Sequence, residues 1–416
     1  MSSVREFGHA LTGKWGAPRG LVETFIEVPF KLGDRDLRPD GLIRVSKGKS
    51  EWIALVEVKV GSNGLDPKQV EDYLDIAKDR NFDAVVTVSQ QLTVTPGVHP
   101  VSIDGRKTRK VQLHHISWSR IHTEALIEQV NHAVSDPDQA YILSEFIRYL
   151  EHDNTGTLDF NDMGAQWIAL RDGSRSMNLN PMNSEVNEGV ARFDQLVSFC
   201  GMQLSRKLGV HVMPRLTKSE RSDHAKRLKG QIELLIRSGQ LTGSLEIPNA
   251  VSPIELIADL RAGRVIARTE INAPTDRRAT ARINWLLGQL KNAPSNLSLT
   301  ANVSHSRSPG LRADLSTLRD NPAELISSNK DDIRSFVLEL SGEAGTKRKA
   351  GQGSFIDSVS KLVDEFYFDV VLGLKKWVPS APKSKVEPLE NAIVPPMNQY
   401  GVEILESDDG DKAKVQ

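Results

Sequence analysis

The nine residues WIALVEVKV (52–60) constrain the fold more than any other stretch of the chain. They are almost continuously apolar and rich in β-branched residues, the pattern of a strand covered on both faces in the middle of a sheet. Two opposite charges nevertheless sit near its end. Period two places Ile53, Leu55, Glu57 and Lys59 on one face and Trp52, Ala54, Val56, Val58 and Val60 on the other, so both charges leave the strand on the same side. A central strand that keeps a carboxylate and an ammonium needs partners for them.

The flanking sequence organises a domain around this strand. SSVREFGHALT predicts a short first helix with Val4, Phe7 and Leu11 on one side. VETFIEVPFKL (22–32) alternates and predicts one strand with a wet face; a Gly-Asp-Arg-Asp turn leads to a second strand, RPDGLIRV, which carries Asp40. Downstream, Asp66 is the expected N-cap and Pro67 the first residue of a helix running to about Arg80. Val70, Tyr73, Leu74 and Ala77 form its apolar stripe, and Gln69 and Tyr73 lie one turn apart. FDAVVTVS (82–89) and VQLHHISW (111–118) read as further strands, the latter entered from a basic hairpin, DGRKTRK. Helices over 123–134 and 139–151 complete a mixed α/β domain spanning 1–152.

Residues 153–184, rich in Asn, Asp, Gly and Ser, read as a linker or lid with a small apolar patch at 167–170. Residues 185–378 then predict a separate α+β domain. Its helices are expected over 187–208, 225–238, 277–290 and 356–377, and its strands over 254–259, 264–271, 297–303 and 335–340. Residues 379–416 lack a core-forming pattern and are expected to be a disordered tail. Charge divides along the chain: 22 Lys and Arg face 28 Asp and Glu in 1–202, against 27 and 19 in 203–377, so the second half is the basic one. The single cysteine, Cys200, excludes an intrachain disulfide and any multi-cysteine metal cluster. With no apolar run long enough for a membrane span and no apolar signal core at the start, a cytoplasmic protein without membrane partners is expected.

The charged groups at the centre suit phosphodiester hydrolysis. That reaction needs a divalent cation held by oxygen ligands and a cationic side chain near the attacking water or scissile phosphate. Asp40 and Glu57, on neighbouring predicted strands, supply two carboxylates, and Lys59 supplies the ammonium. Without a cation, two clustered carboxylates would repel and one would tend to protonate.

Pro39-Asp40, the seventeen-residue gap to Glu57, and Glu57-Val58-Lys59 resemble the PD-(D/E)xK nuclease superfamily. The order of predicted elements resembles that family's restriction-endonuclease-like αβββαβ core. Gln69-Val70-Glu71-Asp72-Tyr73, on the helix after the central strand, is similar to the QhxxY signature of the RecB-like branch. The resemblance covers roughly residues 1–150. It implies that Asp40, Glu57 and the Val58 carbonyl hold Mg²⁺ or Mn²⁺, that Lys59 orients or activates water, and that Gln69 and Tyr73 position the phosphate and the lysine. It also implies a further metal-binding glutamate from the first helix, for which Glu6 is the best positional match and Glu23 and Glu27 are rivals. The implied activity is a metal-dependent deoxyribonuclease, used in DNA repair or in defence against foreign DNA. Groups that grip phosphates do not read the sugar, so RNA stays open as a substrate.

Other readings compete. The same fold could serve as a catalytically silent DNA- or protein-binding scaffold, or as a nuclease that acts only with a partner ATPase, since the chain has no motor motif of its own. Gly8 to Lys14, GHALTGK, matches the first seven positions of a P-loop, but Trp15 stands where a magnesium-binding hydroxyl belongs and no apolar strand precedes it. His114 and His115 point to opposite faces and are expected to be packing residues. The basic groups around 106–110, 226–229, 277–278 and 347–349 read as solvated turns or as backbone clamps. The apolar face of 356–377 suggests a homodimer surface.

Overall fold

The computed structural model describes residues 1–61, 64–93, 98–131, 134–152, 155, 157, 160–306, 308–327 and 332–379. The strand over 52–60 lies at the centre of a five-stranded mixed sheet. Helix α1 (Arg5–Thr12) precedes β1 (Leu21–Ile26); the chain then forms a small hairpin of β2 (Phe30–Leu32) and β3 (Arg35–Leu37) before returning as β4 (Gly41–Lys47) and β5 (Ser50–Val58). Helix α2 (Pro67–Asp79), β6 (Ala84–Ser89) and β7 (Gln112–Ser117) follow, then helices α3 (Trp118–Val130) and α4 (Pro137–Glu151). The sheet order is β1-β4-β5-β6-β7, antiparallel from β1 to β5 and parallel from β5 to β7.

The alternation along β5 separates two layers of core. Leu55 packs with Val70, Tyr73 and Leu74 of α2, whereas Trp52 and Ala54 pack with Val4 and Phe7 near α1 and with Leu143 of α4. Asp66 caps α2 by accepting from the Lys68 N–H at 3.0 Å. That helix is also tied from both sides: Arg35 grips Asp72 at 2.7 and 2.9 Å, and Lys107 donates to Asp75 at 2.6 Å.

Three local expectations change. The single strand over 22–32 breaks because Glu27 adopts a left-handed φ of 50° and Pro29 has no N–H to offer a ladder. Gly33, at φ 60°, then turns the β2–β3 hairpin, a strand pair that reads as a plain turn in the sequence. DGRKTRK is not a hairpin: Lys107–Arg109 forms a 3₁₀ turn, with Arg106 paired to Asp104 at 2.9 Å. The P-loop near-match lies largely inside α1, where no glycine loop can wrap a phosphate.

The remaining elements build a second, fully antiparallel sheet. Helices α5 (Trp167–Arg175) and α6 (Ser184–Leu208) lead to β8 (Met213–Pro214), α7 (Lys218–Ser222), α8 (His224–Ser238), β9 (Gln240–Glu246), β10 (Ile254–Asp259) and β11 (Arg264–Asn272). After them come α9 (Ala279–Leu287), β12 (Ser298–Val303), β13 (Leu311–Asp314), α10 (Leu315–Asp320), β14 (Ile333–Glu343) and α11 (Phe355–Asp369). Seven strands pair in the order β13-β12-β14-β11-β10-β9-β8. The apolar patch of the segment expected as a linker belongs to this core: Trp167 and Leu170 on α5 are buried in it, with Phe160 and Met163 before them.

Strand β9 is absent from the sequence reading for a physical reason. QLTGSLE resembles a turn, yet Gly243 must stay small because a Cβ there would come within 2.5 Å of Val197 on α6. Helix α11 ends at Asp369, short of the expected Trp377. Phe355, Ile356, Val359, Leu362, Val363 and Phe366 bury its apolar face in the chain's own core, which removes the reason for assigning that face to a homodimer. The two sheets meet where Arg206 of α6 donates to Thr123 Oγ1 at 3.0 Å and to the Ser119 carbonyl at 3.1 Å on α3. Residues Met1–Trp377 pack as one compact unit. Among the described residues no helix is long and apolar enough to cross a membrane. The tail expected over 379–416 lies, apart from Pro379, outside the described residues.

Candidate active site

Antiparallel pairing of β4 with β5 sets Gly41 opposite Val56, so Asp40, just before β4, arrives beside the end of β5. Its carboxylate accepts from the Val58 N–H at 2.7 Å, a contact that fixes the exposed side chain where the two strands part. Glu57 is 2 % exposed. One of its oxygens accepts from Lys59 Nζ at 2.5 Å, and the other, Oε2, is buried with no hydrogen-bond partner among the described residues, although the Tyr73 hydroxyl is near enough to favour the charged form. Lys59 continues the parallel ladder through its N–H to the Val88 carbonyl at 2.8 Å, and its own carbonyl accepts from Trp118 Nε1 at 3.0 Å. The backbone that carries the ammonium is therefore held on two sides.

Tyr73, 2 % exposed on α2, covers the same face. Its hydroxyl accepts from Gln69 Nε2 at 3.0 Å and donates towards the Arg38 carbonyl at 3.4 Å. Asp40, Glu57, Lys59, Gln69 and Tyr73 are thus neighbours. Burial pushes the Glu57 pKa up, with Asp40 adding to the rise and Lys59 opposing it. Burial likewise raises Tyr73 to about 12, so this phenol stays protonated at neutral pH. The two carboxylates, one buried and one exposed, are hard oxygen donors of the kind that could hold Mg²⁺ or Mn²⁺, with the ammonium beside them.

Each glutamate candidate is engaged by an arginine. Glu6, on α1, is ion-paired with Arg5 at 3.7 Å and adds to the raised pKa of Glu128 on α3. Glu23 is engaged by Arg44 at 2.8 Å, and Glu27 by Arg38 at 3.5 Å. Glu27 is the nearer of these two to the site through its backbone, since its N–H donates to the Asp40 carbonyl at 3.2 Å. Among the described residues no group of three or more His, Cys, Asp and Glu is gathered as a metal cluster.

One neighbouring feature escapes the sequence reading. Glu57 pairs in register with Thr87 on β6, and Thr87 with His115 on β7, so the three share one row of one sheet face. Thr87 Oγ1 lies 2.9 Å from His115 Nδ1 and 2.8 Å from His99 Nε2, and His115 Nε2 lies 2.8 Å from the Gln91 carbonyl. The carbonyl must accept, which makes Nδ1 of His115 an acceptor facing the Thr87 hydroxyl. Burial lowers the His99 pKa and takes His115 down to about 4, consistent with this neutral chain. The available signal was Thr87, a polar residue inside the otherwise apolar run AVVTV. Of the basic groups, Arg227 is buried against Asp194, Arg277 stacks over Trp377 at 4.3 Å, and Arg348 pairs with Asp162 at 3.0 Å.

No family model matches the chain, no curated protein is significantly similar to it, and no solved structure matches it.

Proposed function

We propose that the chain is a metal-dependent nuclease whose active site is built on the five-stranded sheet. The observation that carries this reading is the convergence of Asp40, Glu57 and Lys59, with one oxygen of the buried Glu57 left without a hydrogen-bond partner among the described residues. The element order supports it too: α1, β1, β4, β5, α2 and β6 follow an αβββαβ sequence once the β2–β3 hairpin is taken as an insertion.

Asp40, Glu57 and the Val58 carbonyl would hold Mg²⁺ or Mn²⁺, which when bound neutralises phosphate charge and makes water more acidic. The chain's own groups do the rest. Val58 N–H orients Asp40, Lys59 places a positive charge beside the reacting phosphate, and Gln69 keeps an amide next to Tyr73. Tyr73, a neutral phenol, packs over Glu57 and limits access of water to it. DNA is the proposed substrate.

Cleavage of labelled linear, circular and single-stranded DNA, with an RNA control, tests the proposal in Mn²⁺ and in EDTA. Lys59→Ala and Asp40→Ala are each expected to lower the rate by about 100-fold or more, the size of effect seen when a charge-stabilising group is removed. Wild-type protein that neither cuts nor gains stability from metal would favour a binding scaffold. Metal-induced stabilisation without cutting would point to a required partner such as an ATPase.

A further inference from the structure

The edge of β7 and the first turn of α3 face α6 and β8 across a cleft of about 230 Å³. Its lining is divided. Lys14, Ser117 and Arg120 supply polar groups, while Met202, Met213 and Pro214 supply an apolar wall. Ser117 caps α3 by accepting from the Arg120 N–H at 3.2 Å, so the cleft opens at the positive end of that thirteen-residue helix.

The charges around the cleft do not balance. Glu124, 1 % exposed, is the one buried carboxylate in the cluster; it takes Lys14 Nζ at 2.8 Å and lies 4.0 Å from Arg120 Nη1, beyond hydrogen-bond reach. Among the described residues Arg206 has no carboxylate within hydrogen-bond distance and bonds to Ser119 and Thr123. Glu151, the carboxylate that acts on Arg206 from further away, is half exposed and bonded to His122, and Glu128 lies on the outer side near Lys14 and Arg19. His211, 3.5 Å from Glu124, has its pKa lowered by burial and adds no charge at neutral pH. His122 is likewise held neutral, down at about 4, by burial. At the cleft itself, the Arg120 guanidinium and the Lys14 ammonium therefore share one buried carboxylate, Glu124, with Arg206 and its more exposed partner Glu151 behind them.

Arg120 is the group left short. Its Nη2 reaches only the Met213 sulfur at 3.0 Å, a weak acceptor, and its Nη1 is buried without a hydrogen-bond partner among the described residues. A buried guanidinium nitrogen with nothing to donate to is costly unless an anion completes it. The excess at the cleft, Lys14 and Arg120 against Glu124, is one positive charge. A phosphate monoester, an anion with three strong acceptor oxygens, can take the unsatisfied guanidinium nitrogen and the ammonium at once, more than a two-oxygen carboxylate can.

We propose that this cleft is a binding site for a phosphate-headed ligand, with Arg120 and Lys14 gripping the phosphate oxygens and Met202 and Met213 packing on the group attached to it. Two sources share that chemistry: the terminal phosphate of a nucleic-acid strand and a free mononucleotide. The inference rests on the unsatisfied Arg120 nitrogen and the positive lining of the cleft and does not depend on the nuclease reading.

Thermal-shift and calorimetric titrations of the full chain test it at fixed ionic strength. The probes are inorganic phosphate, a 5′-mononucleotide, its nucleoside, and short oligonucleotides with 5′-phosphate or 5′-hydroxyl ends. Saturable stabilisation by the phosphorylated probes and none by the nucleoside is expected. An oligonucleotide that needs its 5′-phosphate and binds at least about tenfold tighter than the mononucleotide identifies a strand end; the reverse order identifies a free nucleotide. Arg120→Met is expected to weaken binding by at least about tenfold while leaving the unliganded Tm unchanged or higher, because it removes a largely buried charge whose pairing with Glu124, at 4.0 Å, is loose and leaves Glu124 its closer contact with Lys14. Lys14→Gln is expected to weaken binding as well. Glu57→Gln is expected to keep phosphate binding and lose cleavage, which separates the two readings. The proposal is overturned if no phosphorylated probe stabilises the protein or if both variants bind like wild type. It is also overturned if Arg120→Met loses several degrees without ligand and Lys14→Gln binds normally, since Arg120 would then be a structural residue.

Discussion

Replacing Glu57 by Gln asks whether this carboxylate holds the fold together or is kept at the fold's expense. In the absence of metal, Glu57 is buried, one oxygen has no hydrogen-bond partner among the described residues, and Asp40 adds repulsion. Leaving a buried acceptor unsatisfied costs on the order of 1–3 kcal/mol. The hydrogen bond to Lys59 recovers about 1 kcal/mol of this, discounted because Lys59 is 23 % exposed and its ammonium can turn to water. A neutral amide of the same shape removes the charge and its repulsion. The net expectation in EDTA at pH 8 is a change of about 0 to +1 kcal/mol, or roughly 0–2 °C in Tm for a unit of this size.

The pH dependence carries a sign. Because burial raises the folded-state pKa of Glu57 above its unfolded value, the protonated form is the one the fold favours. Its contribution is fully present below the unfolded pKa and is lost as pH rises through the folded one. The advantage of Glu57→Gln should therefore vanish in acid and appear on the alkaline side. Differential scanning fluorimetry from pH 4.5 to 8, with and without Mn²⁺, measures both effects, and the variant should also lose any Mn²⁺-induced shift. Were Glu57 instead one half of a structural ion pair, removing it would cost about 3–5 kcal/mol. A fall of more than about 5 °C at pH 8 in EDTA would refute the reasoning.

Tyr73→Phe should lose about 1 kcal/mol of stability with the Gln69 hydrogen bond, and because Tyr73 titrates only near 12, the pH–rate profile of the variant should superimpose on wild type from pH 6 to 10. An alkaline limb that moves in Tyr73→Phe would contradict this. Arg227→Met strands Asp194, which is 1 % exposed and otherwise gripped at 2.6 and 2.7 Å, so urea unfolding should show a loss of about 3–5 kcal/mol that Asp194→Leu in the same chain largely restores. Cys200, 1 % exposed and pushed by burial to about 12, should react with a thiol reagent only at the rate at which the native protein opens; fast labelling under native conditions would mean that the α6–α11 packing is looser than described.

What the sequence disclosed follows from how each element is stabilised. Strand β5 and helix α2 were legible because their own residues dictate them: a β-branched run, an Asp-Pro start and an apolar stripe at helical spacing. Strand β9 was not, because its glycine answers to Val197 on a helix some fifty residues away, and the break after β1 depends on a left-handed Glu27 that no local rule requires. Chemistry divides the same way. Asp40, Glu57 and Lys59 could be grouped from parity and proximity in the chain, whereas Arg120 could not, since a lone arginine on a helix gives no sign that its guanidinium will end beside Met213, ninety-three residues on. The residues readable in advance are those whose partners lie on the same or the next element. Those at the junction of the two sheets acquire their electrostatics only from the packing of α3 on α6, and that is where a charge excess can persist without any motif to mark it.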